Sequence, residues 1–546
     1  MKNSGEILIS GQIVDIHKNE IYSGSVKIEK GKIKSIERIP GAPGCFILPG
    51  LIDSHIHIES TMVTPGAFSL TAVKHGTTAV VSDPHEIANV LGVDGVMYML
   101  DDSKKVPLKF FFGAPSCVPA TGFETNGAAV DPSDIEKLLS LPDIKYLSEM
   151  MNYPGVIYHD DEVGLKIAAA KRMKKPVDGH APGISGDMLR KYAAAGISTD
   201  HECSTLAEAL EKISFGMKIL IREGSAARNL DALKELYTSN PGQVMLCSDD
   251  LHPEMLIEGH INRLISRLIS DGYNPFDVIR SATVNPSEHY NLQAGLLRQG
   301  DAADLIVVDS LDNMHVLATW IDGIKVFGEG KVMFSYEKGE AVNKFNCSPV
   351  SEGVIKIPGS GGKIRVIRAL EGELLTSEYL WKSGENEFVE PDMANDILKI
   401  VVKDRYDDKL PAIGYIQGFG LKKGAFASSI AHDSHNIIAV GTNDEDITTA
   451  INEIVRLRGG LSVAVQGKCN SLQLDIAGIM TTSPCDEVAR QYQELTELVR
   501  SLGCTMKAPF MTLSFMALLV IPELKLSDRG LFDVRKFELV SLFAEE

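Results

Sequence analysis

Short runs of alternating apolar and polar residues open the chain: ILISGQIVDI, then IYSGSVKIEKGKIKSIERI with Gly31 at a hairpin turn, then FILPG. A two-residue period broken by turn residues is the mark of β-strands, so residues 6–50 are predicted to be all β. From Leu51 the texture changes. Eight apolar, β-rich runs (ILPGLID, TTAVVSD, PLKFFFGAP, IKYLSEM, PVDGHAP, ISTDHEC, GMKILIREG and QVMLCSDD) alternate with stretches of helical period such as DEVGLKIAAAKRMKK and STLAEALEKIS. Strand and helix alternating eight times within about 240 residues match the length of a (β/α)8 barrel of TIM type. No glycine-rich nucleotide turn follows the first run, which weakens the case for a doubly wound open sheet.

Residues 265–291 read as helical, after which GLLRQGDAADLIVVDS and HVLATWIDGIKVFGEGKVMF return to strand texture. The N-terminal strands are too few to close a sandwich alone. Residues 1–50 and 296–345 are therefore predicted to pair into one small β-sandwich domain, with the α/β barrel, residues 51–295, inserted between them. A polar stretch around Asn343 to Gly353 separates these from a C-terminal α+β domain, residues 346–546, of mixed strand and helix signals.

Composition narrows the function. With 44% hydrophobic and 23% charged residues the chain is too apolar for wholesale disorder. Its 54 Lys and Arg stand against 73 Asp and Glu, a formal charge of -19. Such a surface repels a phosphate backbone, so no nucleic acid partner is expected. The longest apolar stretch, Phe510 to Ile521, is interrupted by Ser514 and stops at Pro522, short of the roughly 20 residues that span a bilayer. The first residues carry no signal-peptide pattern. A cytoplasmic protein without a membrane anchor is expected. Eight cysteines without a CxxC pair predict reduced thiols, not a disulfide framework or a Cys-based zinc site.

The candidate chemistry sits where the predicted barrel strands end: His55 and His57, Asp83 with His85 and Glu86, Glu149, His180, His201, and Asp249 with Asp250. Barrels of this kind build their sites on that face. Taken singly, each residue has an ordinary reading: a buried hydrogen-bonded His, a salt-bridged Glu, an Asp capping a helix. With 14 His in 546 residues, chance alone yields about 0.4 His-x-His pairs, so strand context gives the pair its weight. On a strand, residues two apart face the same side, and His55 and His57 can reach one cation. Four His and two carboxylates spread over five strand ends make a candidate site for two divalent metals about 3.5 to 4 Å apart.

Two further patterns have blander readings. AHDSHN, with His432, Asp433, His435 and Asn436, looks metal-like, but its two His lie in a predicted turn and a structural or surface role is expected. GFGLKK reads as a tight turn, since no GxxxxGK[ST] is present. His57 to Glu59 spells HIE, yet the only PC, Pro484–Cys485, lacks the second Cys that cytidine-type deaminases require.

These residues resemble the amidohydrolase superfamily. PGLIDSHIHIEST looks like its first-strand motif, and SATVNPSEHYNLQAGLLRQGDAADLIVVD resembles its closing segment. Glu149 stands where many members, such as dihydroorotases and hydantoinases, use a carboxylated Lys. Within the superfamily the chain is most similar to the bacterial adenine deaminases, through SDPHEIANVLG, SCVPATGFETNGA, LSEMMNYPGVI, DGHAPG, STDHEC, REGSAARNL, LCSDDLHP and the C-terminal LPAIGYIQGFGLKKGAFASSIAHDSHNIIAVG.

The resemblance implies that His55, His57 and Asp249 hold one metal and His180 and His201 a second, with Glu149 bridging. Manganese is expected, with iron or zinc as alternatives, because mixed His and carboxylate ligands do not choose firmly. Water between two such cations ionises near neutral pH. The resemblance also implies a small-molecule purine substrate, with attack at C6 of adenine and Asp249 moving the proton. Asp250, His85 and Glu86 would then contact the purine, shuttle protons or support the ligands. A homo-oligomer, dimer or tetramer, is expected. Another amidohydrolase activity, an amino-sugar deacetylase or cyclic amide hydrolase, and a non-catalytic binding protein on the same barrel stay open.

Overall fold

The computed structural model describes residues 6–225, 227–371 and 374–544. All eight predicted barrel runs contain parallel strands. Leu51–Ile56, Thr77–Ser82, Lys109–Ala114, Ile144–Met150 and Val177–Gly179 form a five-stranded sheet, and Thr199–Asp200, Lys218–Arg222 and Val244–Cys247 a three-stranded one. Parallel bridges Val177 to Ile197 and Ile56 to Asp249 join the two sheets at both seams. The strands are buried along nearly their whole length, which explains why they read as continuous apolar runs instead of alternating ones.

The first apolar run proves to be two strands. Phe46–Pro49 belongs to another sheet and Leu51–Ile56 to the ring, with the switch at Gly50. A Cβ at Gly50 would meet the Thr78 side chain at 2.2 Å, so only glycine passes there. Likewise the predicted helical region 265–291 falls across three helices, Ile261–Ser270, Pro275–Ser281 and Val284–His289.

Strands from the two flanks of the ring share one sheet. Eight strands form one hydrogen-bonded sheet in the order Lys331–Val332, Ile324–Gly328, Val316–Ile321, Leu305–Val308, Phe46–Pro49, Ile7–Asp15, Glu20–Glu29, Lys32–Arg38. Its apolar face joins Ile13, Val26, Ile28 and Ile47 to Leu305, Val307 and Trp320.

Beyond residue 360 a second eight-stranded sheet, from Thr376–Lys382 to Lys468–Gln473, carries the helix Asp444–Leu457 on one face. A three-stranded sheet, Leu524–Ser527, Gly530–Asp533 and Glu538–Leu539, follows. This C-terminal unit is bonded to the ring's main chain: the Thr64 amide donates to the Thr481 carbonyl (3.1 Å), and the Thr481 amide to that of Met62 (2.9 Å). No helix among the described residues is long and apolar enough to cross a membrane, and all eight cysteines are free thiols.

Candidate active site

Asp249 follows the last ring strand with φ of 55°. Its amide donates to the His55 carbonyl (2.9 Å), and its carbonyl accepts from the His57 amide (3.3 Å). The backbone pairing that closes the ring thus sets the Asp249 carboxylate against both imidazoles. Asp249 Oδ1 lies 3.5 Å from His55 Nε2 and 3.3 Å from His57 Nε2, and the two ring nitrogens are 3.2 Å apart. The far nitrogen of His57 lies 3.1 Å from the Asp83 carbonyl, which aims Nε2 inward.

Glu149, at the end of Ile144–Met150, is the centre of the cluster. Oε1 lies 3.3 Å from His57 Nε2 and 3.4 Å from His85 Nδ1, and Oε2 lies 2.8 Å from His180 Nδ1 and 3.1 Å from His201 Nε2. Every metal-ligand residue expected from the sequence therefore converges on one focus. His57, His85, Glu86, Glu149, His180, His201, Asp249 and Asp250 line a single pocket, and His55 lies fully buried beneath it.

The donor set suits divalent metal. Two neutral imidazoles 3.2 Å apart share at most one proton between the facing nitrogens, whereas ligand atoms about 2.0–2.2 Å from one tetrahedral cation sit about 3.3 Å from each other. Buried groups of such atoms recur here: His55, His57 and Asp249; His55, Glu149 and His201; His57, Asp83, His85 and Glu149.

Electrostatics keep the acids ionised. Burial pushes the Glu149 carboxyl up, but His201 and His180 outweigh it and hold it well below the usual carboxylate range. Asp249 is likewise held low against burial, first by Arg222 and then by His55 and His57. Burial opposes the charge on His201, yet Glu149 raises it to about 9.

Several functional side chains escape the sequence reading. Arg222 Nη1 reaches Asp249 Oδ2 at 2.5 Å and Glu202 Oε1 at 2.6 Å, and Glu202 lies 3.4 Å from His201 Nε2. Arg222 ends KILIR, one of two ring strands given no site residue; its strand-end position marks it without showing what it faces. Asp83, which the sequence did single out, sits 3.2 Å from His85 Nδ1.

The AHDSHN segment corrects an expectation. Far from the surface, His432, Asp433 and His435 are buried. His432 Nδ1 lies 2.6 Å from Glu86 Oε1, and His435 Nε2 contacts Glu86 Oε2. His432 and Asp433 line the pocket with Leu374, Phe515, Leu518, Val520 and Ile521, all from the C-terminal unit. Its turn texture was right; its place over the ring mouth depends on tertiary docking. GFGLKK is a turn, its Gly418 and Gly420 amides bound by Asp396 at 2.8 and 2.7 Å.

Parallel strands carrying imidazoles and acids at their carboxyl ends define a barrel-type hydrolase whose buried clusters can hold divalent metal. Residues 46–332 match the amidohydrolase family model and residues 373–538 that of the adenine deaminase C-terminal domain; the chain belongs to the amidohydrolase family. It is 53% identical over 546 residues to an adenine deaminase of Methanosarcina barkeri, covering 98% of this chain and 99% of that one. To an adenine deaminase of Salinibacter ruber it is 50% identical over 540 residues, with coverage of 98% and 99%. Among solved structures, a β-aspartyl dipeptidase of Fervidobacterium islandicum AW-1 is similar with a TM-score of 0.47 and 16% identity, over 62% of this chain and 100% of that one.

Proposed function

We propose that the protein catalyses hydrolytic deamination of adenine to hypoxanthine and ammonia. The observation that carries this reading is likeness to adenine deaminases at 53% identity, running through both the ring and the C-terminal unit. We read the molecule as three parts: a (β/α)8 barrel of residues 51–295, a small β-sandwich from 1–50 and 296–345, and an α+β domain of 346–546.

His55, His57 and Asp249 would hold one divalent ion and His180 and His201 the second, with Glu149 between them; manganese is the expected metal, with iron or zinc as alternatives. Such ions, when bound, supply a water acidified from 15.7 towards about 7 and a positive field for charge developing on the ring. The chain's own residues do the rest. Asp249, kept ionised by Arg222, accepts a proton from the attacking water and passes it towards the departing amine, which leaves as ammonia once protonated. His85, between Asp83, Glu86 and Glu149, is the second candidate to carry protons. Glu86, gripped by His432 and His435, and Asp250, which accepts the Ser60 hydroxyl at 2.6 Å, face the pocket as acceptors for purine N–H groups.

We expect a cytoplasmic dimer or tetramer; free thiols support the compartment. The reading is tested by ammonia release from adenine with the metal-loaded protein, followed by the ultraviolet change to hypoxanthine. Asp249→Asn should lower kcat by about 10² to 10⁴ with adenine still bound. Turnover near wild type would remove Asp249 from the proton path.

A further inference from the structure

Above its charged floor the pocket is roofed by apolar side chains of the C-terminal unit: Leu374 from one segment, and Phe515, Leu518, Val520 and Ile521 from another. One residue ties the two segments together. Lys525, in the strand Leu524–Ser527, is fully buried. Its Nζ donates to the carbonyls of Leu374 (2.8 Å) and Phe515 (2.9 Å), the two residues where each segment meets the pocket.

The two carbonyls are its acceptors among the described residues, and burial pushes this amine down to about 7. Burying an amine is costly, and an apolar chain of equal length would fill the same space. What lysine adds is donors aimed at two roof carbonyls outside the strands, Leu374 in a bend and Phe515 at the start of the short turn Phe515–Ala517. The downstream end of the roof is fastened in the same way: Thr376 Oγ1 donates to the Leu524 carbonyl (2.9 Å) and accepts from the Glu523 (3.0 Å) and Leu524 (3.2 Å) amides.

We propose that Lys525 is a positioning residue for substrate binding, fixing the apolar roof at the height that grips the face of a planar heteroaromatic base above the polar floor. This rests on the function proposed above and adds its ring-face specificity. A flat ring with polar edges satisfies both surfaces at once: its faces meet the roof, and its edges meet Glu86, Asp250 and Asp433 around the rim.

The test compares wild type, Lys525→Met and Lys525→Arg, each loaded with manganese, for bound metal, kcat and KM with adenine. Lys525→Met should keep its metal and a kcat within about threefold while KM rises about tenfold, and Lys525→Arg, which retains donors, should fall between. If the Met variant is insoluble, the Arg variant carries the same readout. Unchanged KM in a soluble variant overturns the proposal, as does parallel loss of metal and kcat. Wild type that releases no ammonia from adenine overturns the functional reading and this proposal with it; active wild type with unmoved variants overturns only the latter.

Discussion

At the scale of single residues, the site is a set of carboxylates with divided duties. Asp249 turns one oxygen to His55 and His57 and the other to Arg222, so its position and its charge are fixed by different partners. That His55, His57, Glu149, His180, His201 and Asp249 come together was legible because each ends an apolar run, and strand ends of such rings face one mouth. Arg222 and Glu202 were not, because an Arg and a Glu at a strand end look the same whether they face solvent or each other. Lys525 was illegible for the opposite reason: within LKLS it reads as an outward strand residue, and packing within the C-terminal unit, beside Leu374 and Phe515, buries it. Its burial predicts a pH signature. The folded amine titrates at about 7 against 10.5 in the unfolded chain, so between these values the unfolded state binds more protons and stability rises with pH. The stability difference between wild type and Lys525→Met should shift in favour of wild type from pH 7 to 10, by up to about 1.4 kcal/mol per pH unit. Urea melts at fixed pH read this, and a flat difference contradicts it.

At the scale of elements, the seam between the first and last ring strands matters most. Asp53 accepts from the amides of His55 (3.2 Å) and Ser248 (3.1 Å), takes the Ser248 hydroxyl, and lies 2.8 Å from His260 Nε2. His260 Nδ1 in turn lies 2.6 Å from the Thr77 hydroxyl on the second strand. One buried carboxylate therefore locks three strands at the point where His55 and Asp249 are set. Asp53→Ala should cost about 3 kcal/mol of stability and reduce metal retention, read by denaturant midpoint and metal per subunit. Full metal content in the variant would show that the seam holds without it. Pattern alone revealed all eight ring strands and set the change of texture at Leu51, although the run ILPGLID overlaps both Phe46–Pro49 and Leu51–Ile56 across a single glycine.

At the scale of the molecule, the C-terminal unit is part of the site, since it supplies the roof and the imidazoles on Glu86. It docks on the ring loop after the third strand. Asp528 accepts the Thr125 amide (2.8 Å) and hydroxyl (2.6 Å), and the Asn436 side chain donates to the Thr125 carbonyl (2.9 Å). Asp528→Ala should loosen that dock and lower kcat/KM for adenine about tenfold while bound metal is kept; an unchanged kcat/KM would separate docking from catalysis. This role was hidden in the sequence because docking between units leaves no period along the chain. The flanking sheet carries a different consequence. Phe46–Pro49 finds its neighbour Leu305–Val308 only after some 250 further residues have been made, roughly 10 to 50 s at ribosomal speed. The first strands thus emerge long before one of their edges can be covered, and a nascent chain arrested inside the ring region is the species most exposed to chaperones and to aggregation.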